Sequence, residues 1–232
     1  MKISRKKFIV SGMALAGGAA LSFPLTANVK QQSKSSQPMT KNVGILIFDD
    51  VEVLDFAGPF EVFSVTSQPD FQPFRAFTLS HDGAVVTAVN GLKVLPNYSI
   101  NNHPHIDILI IAGGQGTRKL LNDPKLLQWV EKIHATTQVT MSICTGAIVL
   151  GKLGLLDGKP FCTHHQVYEY MTEIVPTGLP QKDKRFVQSG ERLFTSGGIS
   201  AGIDLSFHIV EKLHGKETAI DTAHYMEYDL KK

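Results

Sequence analysis

The most informative segment for the fold is residues 138–151, Gln138-Val-Thr-Met-Ser-Ile-Cys144-Thr-Gly-Ala-Ile-Val-Leu-Gly151. Its first half, up to Ile143, is short, apolar and partly β-branched, which predicts a buried strand. Gly146 permits a tight corner, and the apolar block after it predicts a buried helix. We therefore expect a strand that turns directly into a helix with Cys144 at the corner, which is the arrangement of a nucleophile elbow.

The position of Cys144 at this corner indicates chemistry. A cysteine at the start of a helix lies at the positive end of the helix dipole, which favours the reactive thiolate. We therefore expect Cys144 to be a nucleophile. The stretch alone leaves open the alternative that Cys144 is a small buried hydrophobic residue, since free cysteines are usually buried.

The composition predicts a globular domain and excludes several classes of function. The chain has 232 residues, of which 43% are hydrophobic and 19% charged, so a full core is available. The net charge is +2, but residues 1–27 hold four basic residues and no acidic one, and the remainder holds 19 basic and 21 acidic residues. This balance predicts no nucleic-acid binding. The two cysteines, Cys144 and Cys162, predict neither a disulfide framework nor a metal site.

The N-terminus has the features of an export signal, which we assign to residues 1–27. A basic segment precedes a short apolar, glycine-rich segment, and Leu25-Thr26-Ala27 offers a cleavage site. Residues 4–9 resemble the twin-arginine motif, with Lys6 where that motif has its second arginine. We expect an exported, periplasmic protein with no stable membrane span in its mature form, and an uncleaved membrane anchor is the alternative.

The remaining chain is predicted to be a linker followed by one domain. Residues 28–40 are polar and serine-rich, which is typical of a flexible linker. In the domain, residues 41–232, the apolar runs 43–48 and 106–112 predict central parallel strands that are covered on both faces. Strand patterns alternate with helical ones, and a hairpin is expected around Asn90-Gly91. This order predicts a doubly wound, mostly parallel α/β sheet with helices on both faces.

Two further candidate sites follow the central strands, at the sheet edge where ligands bind in such folds. Asp55 comes after the first strand, although it could equally cap a helix. Gly58-Pro59 predicts a loop that enters the next helix, with the proline in its first turn. The glycine loop that begins with Gly113 and Gly114 lacks the spacing of a nucleotide-binding motif, so we expect its N–H groups to stabilise an oxyanion. A plain tight turn is the alternative.

Three more residues complete the candidates. Glu61, on the first helix, is either a surface residue or a neighbour of the substrate pocket. His164 either orients the substrate and tunes the thiol, or is a hydrogen-bonded core histidine. Cys162 is expected to be structural, because no helix start or basic cluster lies beside it.

Several separated segments resemble the PfpI/ThiJ superfamily, which is related to the class I glutamine amidotransferases. The segments are residues 54–63, 112–116, 142–147, 163–164 and 196–204. Their order and spacing match the superfamily over about residues 42–215. The resemblance implies a single flavodoxin-like α/β sandwich with a nucleophile elbow.

Within the superfamily, the pattern is most similar to that of the isonitrile hydratases. Their motif cysteine is followed by threonine, as Cys144 is followed by Thr145, and their acid lies in a Leu-Asp…Gly-Pro segment, as Asp55 does. Protease-like members instead have histidine directly after the cysteine. Some relatives carry a helix-turn-helix domain after this module, and because the sequence ends at Lys232 we do not expect a DNA-binding regulator.

The resemblance implies hydration of an isonitrile to an N-substituted formamide. Cys144 would attack the isonitrile carbon, Asp55 would deliver a proton, and Thr145 would position water or substrate. The N–H groups of Gly114 and Thr145 would stabilise negative charge, and the pocket or its surroundings would include three further residues: Gly113, Glu61 and His164. The reaction needs a small-molecule substrate and no cofactor. Because relatives are often dimers, a homodimer is also expected.

Two other functions remain compatible with these residues. One is a different cysteine hydrolase or a glyoxalase-type enzyme on the same scaffold. The other is a non-enzymatic, redox-sensing stress protein whose elbow cysteine is oxidised to sulfinic acid. The threonine after Cys144 and the acid at Asp55 favour the hydratase.

Overall fold

The computed structural model describes residues 39–230, in which strands and helices alternate. The strands are β1 (Lys41–Leu46), β2 (Phe74–Ser80), β3 (Val86–Thr87), β4 (Lys93–Val94), β5 (Tyr98–Ser99), β6 (Ile108–Ile111), β7 (Val139–Ser142), β8 (Pro160–Phe161), β9 (Leu179–Pro180), β10 (Phe186–Gln188) and β11 (Leu193–Ser196). The helices are α1 (Val53–Val65), α2 (Thr117–Leu120), α3 (Pro124–Thr136), α4 (Ala147–Lys152), α5 (Tyr168–Ile174), α6 (Ala201–His214) and α7 (Lys216–Tyr225). The predicted export signal and all but the last two residues of the predicted linker lie outside the described residues.

Seven of these strands form one sheet in the order β10-β11-β7-β6-β1-β2-β5. Every neighbouring pair except β10 and β11 is parallel, so the predicted mostly parallel sheet is confirmed. All residues of β6 and β7 are buried, as expected for central strands that are covered on both faces. The predicted hairpin around Asn90-Gly91 exists as the short antiparallel pair β3 and β4.

The helices pack in two groups beside the sheet. Helices α1, α6 and α7 pack against one another, and α4 packs against α2 and α5. Helix α3 begins at Pro124, and the Asp123 side chain caps it by accepting a 3.0 Å hydrogen bond from the N–H of Leu126. Within the described part of the chain, no helix has the length and apolar character that crossing a membrane requires.

The prediction that Gly58-Pro59 lies in a loop before the first helix is wrong. Helix α1 already begins at Val53, and Pro59 lies inside it. A proline removes one helical hydrogen bond, and burial of the apolar face of α1 outweighs that loss. Gly58 allows α1 to approach α6, since a Cβ there would lie 2.8 Å from Cγ1 of Ile203. Asp55 is therefore held in the first turn of a packed helix.

The topology places a crevice beside the elbow. Strand β1 leads to β2 on one side, whereas β6 leads to β7 on the other. The connections therefore diverge between β1 and β6, which is the switch point where α/β sheets bind ligands. The segments after β1, β6 and β7 meet at this point, and they carry Asp55, the glycine loop and Cys144.

Candidate active site

The sequence-predicted elbow is present at Cys144. Strand β7 ends at Ser142, a short 3₁₀ turn spans Cys144–Gly146, and α4 follows directly. Cys144 has a φ of 56°, a left-handed conformation that is strained for a residue with a side chain and that recurs at active sites. Gly146 is needed at the corner, because a Cβ there would lie 2.2 Å from the carbonyl oxygen of Ile111.

Asp55 is fully buried beside the elbow and does not cap its helix. Its carboxyl group accepts hydrogen bonds from the backbone N–H of Gly113 (3.0 Å to Oδ2) and of Ile199 (3.1 Å to Oδ1). The same carboxyl group lies beside Cys144, and the acid and the thiol shift each other's pKa. Segments that are far apart in the sequence thus hold one acid against the candidate nucleophile.

Gly113 makes this approach possible. A Cβ at this position would lie 2.7 Å from Oδ2 of Asp55 and from Cβ of Cys144, and 2.6 Å from the nitrogen of Thr145. Real Cβ atoms do not approach other atoms so closely, so any other residue would push the acid and the thiol apart. Gly113 therefore allows Asp55 and Cys144 to lie side by side.

The hydroxyl group of Thr145 closes a small buried network with the glycine loop. Oγ1 of Thr145 accepts a 2.8 Å hydrogen bond from the N–H of Gly114 and donates one of 2.9 Å to its carbonyl oxygen. Thr117, which is also fully buried, lies 3.3 Å from the same hydroxyl oxygen. The N–H of Gly114, which we expected to stabilise an oxyanion, is therefore bound to Thr145 instead of being open.

Burial and mutual proximity set the protonation of the acid and the thiol. Burial raises the pKa of Asp55 to about 7, and the negative charge of Glu52 contributes to the rise. Interactions with Cys144, Gly113 and Ile199 act in the opposite direction but are weaker than burial. Burial and then the charge of Asp55 raise the pKa of the Cys144 thiol far above its ordinary value. We therefore assign one shared proton to the pair near neutral pH.

This result corrects the expectation of a resting thiolate at Cys144. The dipole of a helix is typically worth about 0.3–1 kcal/mol to a charge at its end. Removal of a thiolate from water costs more, and the neighbouring carboxyl group adds repulsion when it is ionised. Cys144 consequently needs Asp55 to accept its proton as it reacts.

A cavity of about 450 Å³ opens onto Cys144. Three other predicted residues also line it: Gly114, Thr145 and His164. Glu61 does not, because its side chain is exposed on α1 outside the lining. The glutamate that lines the cavity is Glu52, which precedes the first residue of α1.

His164 is packed at one side of this cavity. Its Nδ1 accepts a hydrogen bond of 3.3 Å from the N–H of Gln166. Its ring lies so close to Gly198 that a Cβ there would be 2.3 Å from Cδ2 of the imidazole. Burial lowers the pKa of His164, and His165 contributes, whereas the negative charge of Glu52 acts in the opposite direction. Because the pKa is lowered overall, the imidazole of His164 is neutral at pH 7.

Sequence reasoning missed six residues that line the cavity: Glu52, Gln115, Arg118, Gln166, Val167 and Ile199. Ile199 has a φ of 56°, which is a strained value for a β-branched residue, and its N–H holds the carboxyl group of Asp55. The glycines at 197 and 198 were a usable signal, since paired glycines mark a close approach of backbone. Glu52 and Arg118 gave no signal, because charged residues beside helix ends usually face solvent.

Cys162 is structural, as the sequence predicts. It is fully buried, and its thiol contacts the carbonyl oxygens of Gln181 (3.4 Å) and Lys184 (3.5 Å). Burial raises the pKa of Cys162 to about 11, and both cysteines are free thiols. Among residues 39–230, no cluster of histidine, cysteine and acidic side chains could hold a metal ion.

Comparison with known proteins agrees with this architecture. The chain is 35% identical over 192 residues to an isonitrile hydratase from Pseudomonas putida, covering 82% of this chain and 79% of that protein. It is 26% identical over 190 residues to the transcriptional regulator GbdR from Pseudomonas aeruginosa, of which it spans only about half (51%). A crystal structure of a ThiJ/PfpI family protein from Pseudomonas syringae superposes with a TM-score of 0.74 at 22% identity, over 84% of this chain and 77% of that one.

The family assignment rests on the extent of the match. The model of the DJ-1/PfpI family matches residues 41–212, which include β1, the glycine loop, the elbow and most of α6. The P. putida relative is matched over most of its own length. This chain therefore belongs to the DJ-1/PfpI family.

Proposed function

We propose that this protein is a cysteine-dependent enzyme that hydrates an isonitrile to an N-substituted formamide. The observation that carries the proposal is the buried pair of Asp55 and Cys144, which lie side by side against Gly113, with Cys144 lining a cavity of small-molecule size. Such a pair can move one proton between an acid and a nucleophile. The 35% identity to an isonitrile hydratase supports the same reaction.

The first step uses the shared proton. As the sulfur of Cys144 bonds to the isonitrile carbon, the S–H proton passes to Asp55, and Asp55 delivers it to the same carbon. One S–H bond breaks, and one C–S and one C–H bond form, which gives a thioimidate, Cys144–S–CH=N–R. This balance requires an acid with a pKa near the working pH, and the pKa of Asp55 is raised to about 7.

The second step releases the product. Water adds across the C=N bond, with its oxygen on carbon and one proton on nitrogen. The C–S bond then breaks, the second water proton returns to the Asp55–Cys144 pair, and R–NH–CHO leaves. We assign the positioning of this water to the hydroxyl group of Thr145, which lines the cavity next to the sulfur.

Because the N–H of Gly114 is bound to Thr145, other donors must stabilise the negative charge that develops during the reaction. The N–H of Thr145 acts to lower the pKa of the Cys144 thiol, so we assign it the stabilisation of negative charge next to the sulfur. Loss of one preorganised donor typically slows such reactions by about 10²–10³-fold. His164 is neutral and borders the cavity, which suits a hydrogen-bonding contact to the substrate.

The redox-sensing alternative is less well supported by the chemistry of the site. Oxidation of cysteine to sulfenic and sulfinic acid begins from an accessible thiolate. Cys144 is only 5% exposed and its pKa is raised, so little thiolate is present at neutral pH. A substrate that accepts the proton and the sulfur together does not need a preformed thiolate.

The test is turnover by the full chain with a simple alkyl isonitrile, followed as N-alkylformamide by mass spectrometry. We expect product from wild type, none from Cys144→Ala, and a strong reduction in Asp55→Asn. Cys162→Ala is the matched control and should retain turnover. Formamide production that survives in Cys144→Ala would refute the proposal, whereas consumption of a 2-oxoaldehyde with isonitriles inert would establish the glyoxalase-type alternative.

Export and assembly are separate proposals. We propose that residues 1–27 direct the chain out of the cytoplasm and that the folded domain forms a homodimer. Fractionation of cells that express the full chain tests the first, and light scattering of the purified protein tests the second. Retention in the cytoplasm, or a monomer at all concentrations, would contradict them.

A further inference from the structure

Arg118 is a positively charged side chain on the wall of the active-site cavity. It lies on the one-turn helix α2, directly after the glycine loop, and it is exposed to the cavity opening. Within residues 39–230 the ion pairs join His81 to Asp123, His105 to Asp107, Lys119 to Asp50 and Arg185 to Asp204, and none includes Arg118. Its charge is therefore available to a ligand.

The guanidinium group of Arg118 is held in place by an aromatic ring. Its central carbon lies 5.6 Å from the centre of the Tyr170 ring, which belongs to α5. This distance is within the range of a cation–π contact, which restricts the side chain and reduces the entropy that binding would cost. Because Arg118 forms no ion pair within residues 39–230, its N–H groups can bind an oxyanion.

The other charges at the cavity do not compete for this role. Glu52 acts electrostatically on Asp55 and His164, which places it on the side of the nucleophile, and it forms no ion pair with Arg118. His164 is neutral because burial lowers its pKa. Arg118 is thus the permanent cation among the residues that line this cavity.

We propose that the natural substrate is an isonitrile whose R group carries a carboxylate, and that Arg118 binds this carboxylate. The proposal rests on the proposed hydration of isonitriles and names its substrate class. The planar fork of an arginine matches the two oxygens of a carboxylate, and such charge-assisted pairs are strong and directional. The isonitrile carbon would lie at Cys144 while the acid end lies toward the cavity opening.

The experiment compares isocyanoacetate and its longer straight-chain homologues with the methyl ester of each. For wild type, we expect kcat/KM for the best-fitting acid to exceed that for its ester by at least about tenfold, because a hydrogen bond between two charged groups is stronger than one to a neutral ester. Arg118→Gln should abolish this preference by raising KM for the acid, so that kcat/KM for the acid and for its ester become similar. Arg118→Lys should retain part of the preference.

Lys119→Gln is the matched control. Lys119 is the next residue, is also exposed, and forms a 2.8 Å ion pair with Asp50 outside the cavity lining. The substitution removes the same charge from the same helix, so it tests whether general electrostatic attraction explains the effect. An equal loss of preference in Lys119→Gln would overturn a specific role of Arg118.

The outcomes separate this proposal from the proposed function. Equal kcat/KM for acids and esters, with formamide produced, overturns carboxylate recognition and leaves hydration intact. If no isonitrile turns over, calorimetric binding of N-formylglycine and its homologues to Cys144→Ala decides the matter. Binding that exceeds that of the methyl esters and disappears when Arg118→Gln is added supports the carboxylate site, and equal binding of acids and esters refutes it.

Discussion

The hydroxyl group of Thr145 and the backbone of Gly114 are joined by two hydrogen bonds, one accepted from the N–H and one donated to the carbonyl oxygen. Thr145 is the residue after the nucleophile, and Gly114 lies in the loop after β6. The pair therefore ties the elbow to the neighbouring strand. It also fixes the orientation of the Thr145 hydroxyl group, which we propose positions the attacking water.

Thr145→Val should lower kcat by about 10²-fold or more, because it keeps the shape of the side chain but removes the hydroxyl group and leaves the buried Gly114 N–H without a partner. Thr145→Ser keeps the hydroxyl group and should lose less than tenfold. Steady-state kinetics with one isonitrile checks both, and far-ultraviolet circular dichroism confirms the fold. Equal activity in Thr145→Val and wild type would remove the hydroxyl group from the mechanism.

The pH dependence of kcat/KM should show an acid limb with an apparent pKa near 7, which is the raised value for Asp55. Below that pH both groups carry a proton, and the pair can no longer accept the thiol proton. Since the charge of Glu52 contributes to the raised pKa, Glu52→Gln should shift the limb to lower pH. Glu61→Gln, an exposed change on α1, is the control and should not shift it.

A rate that is constant through neutral pH would contradict the shared-proton assignment. A shift of the limb to higher pH in Glu52→Gln would contradict the electrostatic role of Glu52. The activity should persist at alkaline pH, because the pKa of the Cys144 thiol is raised far above its ordinary value.

Gly113→Ala should damage both stability and activity. The added methyl group would lie less than 3.0 Å from Asp55, Cys144 and the backbone of Thr145, so these groups would have to move apart. Overpacking of this kind typically costs about 1–3 kcal/mol. Urea unfolding and kinetics measure the two effects, and Gly190→Ala is the control, because its nearest contact would be an ordinary 3.5 Å.

The elbow and the position of Asp55 could be predicted because each depends on a short local pattern or a motif. The strand before Cys144 and the helix after it are both encoded by neighbouring residues. The start of α1 was misplaced, because Gly58-Pro59 is locally a helix boundary and only packing against α6 keeps it helical. Local propensity was outweighed there by tertiary contacts.

The electrostatics of the site could not be predicted from the sequence. The protonation of Cys144 depends on its burial and on a carboxyl group that is 89 positions away in the chain. Likewise, Arg118 and Glu52 become cavity residues only when the segments after β1 and β6 meet. A pattern along one segment carries no information about such encounters.

The stability of the protein should depend on pH through Asp55. The pKa of Asp55 is about 7 in the folded protein, compared with the ordinary value of 3.8 that applies to the unfolded chain. Between about pH 4 and about pH 7, the folded state therefore holds a proton that the unfolded chain has released. The free energy of unfolding of wild type relative to Asp55→Asn should therefore fall as the pH rises through this window, by at most about 1.4 kcal/mol per pH unit. Above about pH 7 the difference should be constant.

Urea unfolding of both proteins at a series of pH values measures this difference, with Glu61→Gln as an exposed acid for comparison. The N–H groups of Gly113 and Ile199 favour the carboxylate, whereas burial disfavours it, and the raised pKa means that burial dominates. If the difference instead rises with pH, the two N–H donors outweigh burial. Asp55 would then be a permanently ionised residue, unable to deliver the proton that the proposed first step requires.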